Sequence, residues 1–238
     1  MKLSKRLETV ASMVTKGNRA ADVGCDHGFV PIFLVELGIS PLAVAADVRP
    51  GPLSRAKEHI KEHRLEEKIQ TRLSDGLANI KPGEADSLIM SGIGGILMMR
   101  LLQDEEHTAK SFKELILSPQ SELFDVRRYL VSNGYLIEYE HMLCDEGKYY
   151  FIFHVLVKKD EREWSEEEYR YGKDICKDDI KTFLAYLEKE ERQYEQILEK
   201  MKQAPENDRA VQRIAQLHQD ITCLKKRRQL VYDCGCFA

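Results

Sequence analysis

Residues Ala20–Pro31 read AADVGCDHGFVP, and the reading of this stretch decides the fold. The apolar residues up to Val23 suit a strand, Gly24 and Gly28 bracket a turn, and an apolar run from Phe29 suits a helix. Strand, glycine turn and helix in that order open a βαβ unit, whose ligand lies at the carboxyl end of the strand. Gly24 and Gly28 carry no side chain where a backbone must come close to a ligand. A second apolar run, Leu42–Ala46, reads as the neighbouring parallel strand and ends in Asp47. That acid falls about 20 residues beyond the turn, the separation at which a carboxylate accepts hydrogen bonds from ribose hydroxyls.

The charge at the turn narrows the ligand. A dinucleotide site favours G-x-G-x-x-G, with three glycines admitting a pyrophosphate. Here the pattern is D-x-G-x-D-x-G, with carboxylates at Asp22 and Asp26. Two acids repel a diphosphate and suit a cofactor bearing an ammonium and a sulfonium. S-adenosyl-L-methionine has both, so methyl transfer is favoured over hydride transfer. Asp22, Gly24, Cys25, Asp26, Gly28, Asp47 and the adjoining Val48 are assigned to that cofactor.

Working outward, the chain alternates strands and helices. Leu3–Val14 has apolar residues at helical spacing, and Arg19–Val23 is the first strand. A helix over Gly28–Leu37, the strand Leu42–Ala46 and a helix over Pro52–His63 follow, with Pro52 suited to a first turn. Further strands are expected at Lys68–Leu73, Ala85–Met90 and Leu115–Leu117, then a helix over Glu122–Ser132. Tyr135–Met142 and Tyr149–Lys158 read as a closing antiparallel pair. This predicts an α/β, doubly wound, mostly parallel Rossmann-like sheet over 1–160.

Beyond Asp160 charges dominate and glycine nearly disappears. Cys176, Ile180, Phe183, Leu187, Glu190, Tyr194, Ile197 and Met201 step by three and four. After a break at 204–208, Ala210, Ile214, Leu217, Ile221, Leu224, Arg228 and Val231 do the same. That spacing predicts a C-terminal antiparallel coiled-coil hairpin over 161–238. Spacing alone leaves open whether it is a structural bundle or an arm that holds a large substrate.

The 238 residues suffice for one sizeable core and an appendage. With 36 basic and 40 acidic residues the net charge is −4, so any RNA contact needs a local basic patch. No apolar run is long enough to span a bilayer and no signal peptide is expected. Six cysteines without disulfide-type spacing suggest reduced thiols and a cytoplasmic location. Cys234 and Cys236 form a terminal C-x-C that reads as a frayed tail rather than a metal site, and no metal is expected. Nothing in the sequence fixes a homo-oligomeric state.

The strand ends supply the remaining candidates. Asp75-Gly76-Leu77 follows the third strand, where an acid accepts from an adenine amino group and a neighbouring backbone N–H holds the ring. Ser91-Gly92-Ile93-Gly94-Gly95 follows the fourth, where the methyl acceptor must lie. Ser91, Gly92 and Ile93 are assigned to the cofactor and Ser91 also to positioning the acceptor. Gly94, Gly95 and Pro119 are assigned to substrate room. Asp26 and His27, on the loop nearest the methyl group, and Ser91 are the catalytic candidates. Arg127 and Arg128, with Arg49, Arg55, Lys5 and Arg6, are candidates for facing RNA phosphates.

Ala21-Asp22-Val23-Gly24-Cys25-Asp26-His27, Asp75-Gly76-Leu77, Ser91-Gly92-Ile93-Gly94-Gly95 and Leu117-Ser118-Pro119-Gln120 together resemble the bacterial TrmK family. Cys25 stands where that family usually has serine, Phe29 where it has tyrosine, Ile93 where it has methionine and Gln120 where it has asparagine. The resemblance implies a class I methyltransferase that uses S-adenosyl-L-methionine to methylate N1 of the adenine at position 22 of tRNA. It also implies that the helical hairpin contacts tRNA. On the residues alone, a methyltransferase for a small molecule or protein, or a scaffold with a degenerate cofactor fold, stays open.

Overall fold

A computed structural model describes residues 3–173, 175, 179–202 and 208–233. The expected break at 204–207, Cys176 and the Cys234–Cys236 tail lie outside the described residues. Helix α1 (Lys5–Ser12) precedes β1 (Ala20–Val23), α2 (Phe29–Glu36), β2 (Ala43–Asp47), α3 (Pro50–Glu62) and β3 (Ile69–Leu73). β4 (Ser87–Ser91), α4 (Gly95–Asp104), α5 (Glu106–Ala109), β5 (Glu114–Ser118) and α6 (Leu123–Ser132) complete the alternation. β6 (Leu136–Asp145) and β7 (Lys148–Leu156) close the sheet, and α7 (Glu166–Tyr171), α8 (Ile180–Lys202) and α9 (Asp208–Asp233) follow.

The seven strands lie in the order β3-β2-β1-β4-β5-β7-β6, with β7 antiparallel to both β5 and β6. The order reverses between β1 and β4, which places a switch-point crevice at their carboxyl ends. β1, β2, β4 and β5 are buried almost throughout, as central parallel strands covered on both faces must be. This is the Rossmann-like methyltransferase sheet expected from the strand pattern.

Three helices were not expected. α4 starts directly at Gly95, so the glycine-rich Ser91–Gly94 stretch that reads as loop runs straight into an apolar helix, Gly95–Asp104. The four-residue α5 follows it. α7 is opened by a capping box between Ser165 and Glu168, a local signal hidden in a charge-rich segment. α3 begins at Pro50 rather than Pro52, so both prolines sit in its first turn, where a missing N–H costs nothing.

α8 and α9 run antiparallel: Arg227 stacks over Phe183, and Arg228 and Lys225 pair with Glu191. Phe183, Leu187, Leu217, Leu224 and Val231 are buried at the expected seam positions. Farther along α8 the seam drifts, leaving Ile197 39 % exposed while Leu198 is buried. A straight helix with 3.6 residues per turn slips off a 3.5-residue repeat in this way. The base of the pair shares one apolar cluster with the sheet, joining Phe183, Leu187 and Leu224 to Leu117, Phe151 and Phe153.

Candidate active site

The carboxyl ends of β1, β2 and β4 and the loop after β3 enclose a cavity of about 430 Å3, a size suited to a nucleoside-containing ligand. Its floor is the turn after β1. The N–H groups of Gly24 and Cys25 both donate to the Ala46 carbonyl, and Gly28 N–H donates to the Cys25 carbonyl. Asp26 has φ +48°, a left-handed conformation uncommon for a residue with a side chain and one that clusters at functional loops. Gly24 and Gly28 also have positive φ, but their surroundings differ. A Cβ on Gly28 would lie 3.1 Å from the Ala56 Cβ, so this glycine lets α2 and α3 pack closely. A Cβ on Gly24 would meet only Ile93, at 3.8 Å, and would otherwise intrude on the cavity.

Four carboxylates line this space: Asp22, Asp26, Asp47 and Asp75. Asp47 is buried, and its two oxygens accept from the N–H groups of Asp26 (3.2 Å) and Arg49 (2.9 Å). It therefore ties the β1 turn to the end of β2. Asp22 is buried on β1, and its pKa is pushed up to about 7 by burial first and the Asp47 charge second, with Arg6 opposing both. A buried carboxylate held so poorly by its surroundings is poised for a cationic partner. The Asp26 side chain is 58 % exposed and lies 3.6 Å from His27 Nε2. The His27 ring stacks on Phe29 and on His59, whose Nδ1 lies 3.0 Å from the His27 carbonyl oxygen.

The opposite wall comprises Ser91, Gly92, Ile93 and Gln120. Arg6 reaches in from α1 and donates to Ser91 Oγ, its guanidinium 5.4 Å from the centre of the Tyr150 ring. A second cavity of about 290 Å3 begins on the far side of Gln120 and is walled by Phe124, Arg170, Tyr171, Tyr186 and Tyr194.

The cavity thus brings together Asp22, Gly24, Cys25, Asp26, His27, Asp47, Val48, Asp75, Gly76, Ser91, Gly92 and Ile93, all sequence candidates. Leu77, Gly94, Gly95, Pro119 and Arg128 do not line it. Leu77 is fully buried under the Asp75-Gly76 turn. A Cβ on Gly95 would sit 2.5 Å from the Ser121 carbonyl oxygen, so Gly95 serves the packing of α4 against the Ser121–Glu122 turn rather than substrate room.

Arg127 is a correction. It is 0 % exposed, bonds Glu140 at 2.7 Å and donates to the Tyr169 and Arg170 carbonyls, so it is not available to a phosphate. Its place in the middle of α6 beside the exposed Arg128 gave no sign of this, because a buried pair is invisible until Glu140 on β6 is brought across. Conversely, Arg6 and Gln120 line the cavity and were not assigned to it. α1 precedes the sheet, and only its packing on the rest of the fold carries Arg6 to Ser91.

The donor set fits S-adenosyl-L-methionine. Acids sit where an ammonium, a ribose diol and an adenine amino group need acceptors, and Gly24 leaves the cavity open at the end of β1. No phosphate cradle accompanies them. The methyltransferase-domain family model matches residues 3–153. The chain is 28% identical over 232 residues to the tRNA (adenine(22)-N(1))-methyltransferase of Bacillus subtilis, covering 95% of this chain and 97% of that one. Streptococcus pneumoniae Sp1610 in complex with S-adenosyl-L-methionine superposes with a TM-score of 0.84 at 31% identity, covering 95% of this chain and all of that one. TrmK of M. capricolum with S-adenosyl-homocysteine superposes with a TM-score of 0.86 at 25% identity, covering 97% and 100%. Cavity, sheet order and full-length similarity agree, and the chain belongs to the TrmK family of class I methyltransferases.

Proposed function

We propose that this chain methylates N1 of the adenine at position 22 of tRNA with S-adenosyl-L-methionine as donor. The observation that carries the reading is the acid-lined crevice at the β1–β4 switch point, in a chain similar over its whole length to the B. subtilis enzyme. When bound, the cofactor supplies an electrophilic methyl group on a sulfonium.

The chain's own residues hold and align the reactants. Asp22 takes the ammonium of the donor, Asp47 its ribose hydroxyls and Asp75 its adenine amino group, with the Gly76 backbone beside it. Val48 packs along that edge. Adenine N1 brings its own lone pair, so no strong base is needed for attack, and alignment and charge placement do most of the work. Asp26 accepts from the N6 amino group of the target base and takes its proton as the N1-methyl product forms. The stack of His27 on Phe29 and His59 fixes the loop that carries Asp26. Ser91 and Gly92 shape the acceptor side, and the exposed Arg128 supplies phosphate contact. The 161–238 segment is the arm that holds tRNA beside the catalytic 1–160 segment, in the cytoplasm. Among the described residues no helix is long and apolar enough to cross a membrane.

The test is methyl transfer from labelled S-adenosyl-L-methionine to an unmodified tRNA transcript, with the product nucleoside identified after digestion. 1-methyladenosine is expected, and none when position 22 carries guanine. Full labelling of the guanine-substituted transcript contradicts the site assignment. Labelling of protein or small molecules after nuclease treatment contradicts the substrate class.

A further inference from the structure

The cavity has an unequal complement of charges. Four carboxylates line it, whereas the cations on its wall are Arg6 and Arg49. The donor, however, carries an anion as well as cations: its amino-acid end has a carboxylate on the same carbon as the ammonium. Whatever neutralises that carboxylate must therefore sit beside the acid that takes the ammonium. Arg49 does not meet this condition. Its side chain is 70 % exposed and its Nε faces Asp47 at 3.8 Å, the ribose end of the site. Arg6 meets it. Its guanidinium is bonded to Ser91 on β4, the strand next to β1, and its charge acts directly on Asp22. It also lies near Gly92, where an added Cβ would be 3.6 Å from Arg6 Nη1. The Ser91 bond and the Tyr150 ring hold the guanidinium on the cavity wall, a pre-organisation that favours a forked contact with a carboxylate.

We infer that Arg6 binds the carboxylate of the donor's amino-acid end, so that Arg6 and Asp22 together form a clamp for its zwitterion. The inference rests on S-adenosyl-L-methionine being the donor. It gives α1, which lies outside the βαβ core, a direct part in cofactor selection. It also separates Arg6 from the exposed basic residues that suit RNA phosphates, since a guanidinium engaged with the cofactor is not offered to the backbone of a tRNA.

The test compares S-adenosylhomocysteine with its decarboxylated form, which keeps the adenosine, sulfur and amine but lacks the carboxylate. Both are titrated calorimetrically into the full chain and into Arg6→Gln, with thermal melts confirming that the variant is folded. The wild type is expected to prefer S-adenosylhomocysteine by about tenfold or more, the range for a charge-assisted contact. Arg6→Gln is expected to bring that ratio close to one while leaving affinity for the decarboxylated form nearly unchanged. A ratio that stays tenfold in the variant overturns the assignment, as does a wild type that does not discriminate. A variant that loses tRNA affinity but keeps the ratio overturns it too, and returns Arg6 to the RNA side. If Arg6→Gln unfolds, Arg6→Lys is read instead: a lowered ratio supports the clamp and an unchanged one refutes it. Failure of the wild type to bind either ligand removes the cofactor reading itself, a result distinct from the others.

Discussion

Asp22→Asn is expected to make the ligand-free protein more stable and the cofactor-binding protein worse. In the structure the Asp22 carboxyl is buried at the end of β1, and its pKa is pushed up to about 7 by desolvation and then by the Asp47 charge, against the pull of Arg6. An unfolded chain has the ordinary value, about 3.8. Between those two values the native state binds the proton more tightly than the unfolded state, so stability falls as pH rises through that window. Above it the native state carries the full cost of a buried charge, roughly 4 kcal/mol at 1.36 kcal/mol per pH unit. Asparagine keeps the shape and removes the charge. Ligand-free Asp22→Asn at pH 8 is therefore expected to melt higher, by up to roughly 10 °C for a chain of this size. At pH 5 the two proteins are expected to melt together. S-adenosylhomocysteine affinity is expected to move the other way, because the ammonium loses its ionised partner. Differential scanning fluorimetry from pH 5 to 8.5, with and without S-adenosylhomocysteine, reads both effects. A ligand-free Asp22→Asn that melts lower than wild type at pH 8 refutes the reasoning, and so does undiminished affinity.

Three further outcomes follow from other parts of the molecule. Asp26→Ala is expected to stay folded and to bind S-adenosylhomocysteine, yet lose most methyl transfer to tRNA; retained turnover removes Asp26 from the chemistry. Arg127→Ala leaves Glu140 charged and buried, which costs about 3–5 kcal/mol. Chemical denaturation checks it, and an unchanged midpoint combined with weaker tRNA binding returns Arg127 to phosphate contact. Burial alone would raise the pKa of Glu114, but bonds from His154, Ser87 and Thr15 outweigh it and hold the value near about 2. Its contribution is thus present above pH 4.5 and lost as pH falls toward 2, and Glu114→Gln is expected to cost about 3 kcal/mol at pH 7. Equal stability of the two proteins at pH 7 contradicts this.

The sheet was legible because its signals are local. Apolar runs bounded by glycine and acid turns located β1 to β5, and the closing antiparallel pair followed from two alternating segments joined by Cys144–Lys148. The cofactor wall was legible for the same reason: Asp22, Gly24, Asp47 and Asp75 each occupy the end of a strand, and strand ends in a parallel sheet converge. What escaped the sequence was tertiary. Arg6 sits 85 residues from Ser91, and Arg127 meets Glu140 only because α6 packs on β6. Gly95 looked like room for a base because glycine clusters mark both clefts and tight packing, and only the Ser121 carbonyl tells them apart. The heptad seam was right at the base of the hairpin and drifted farther along α8 at Ile197, where helical twist rather than sequence period decides which face is covered.

The most direct measurement is a crystal of the full chain grown with S-adenosylhomocysteine. The account expects the adenosine end between Asp47 and Asp75 and the amino-acid end between Asp22 and Arg6. A crevice that stays empty at saturating ligand, or a ligand bound elsewhere, contradicts it.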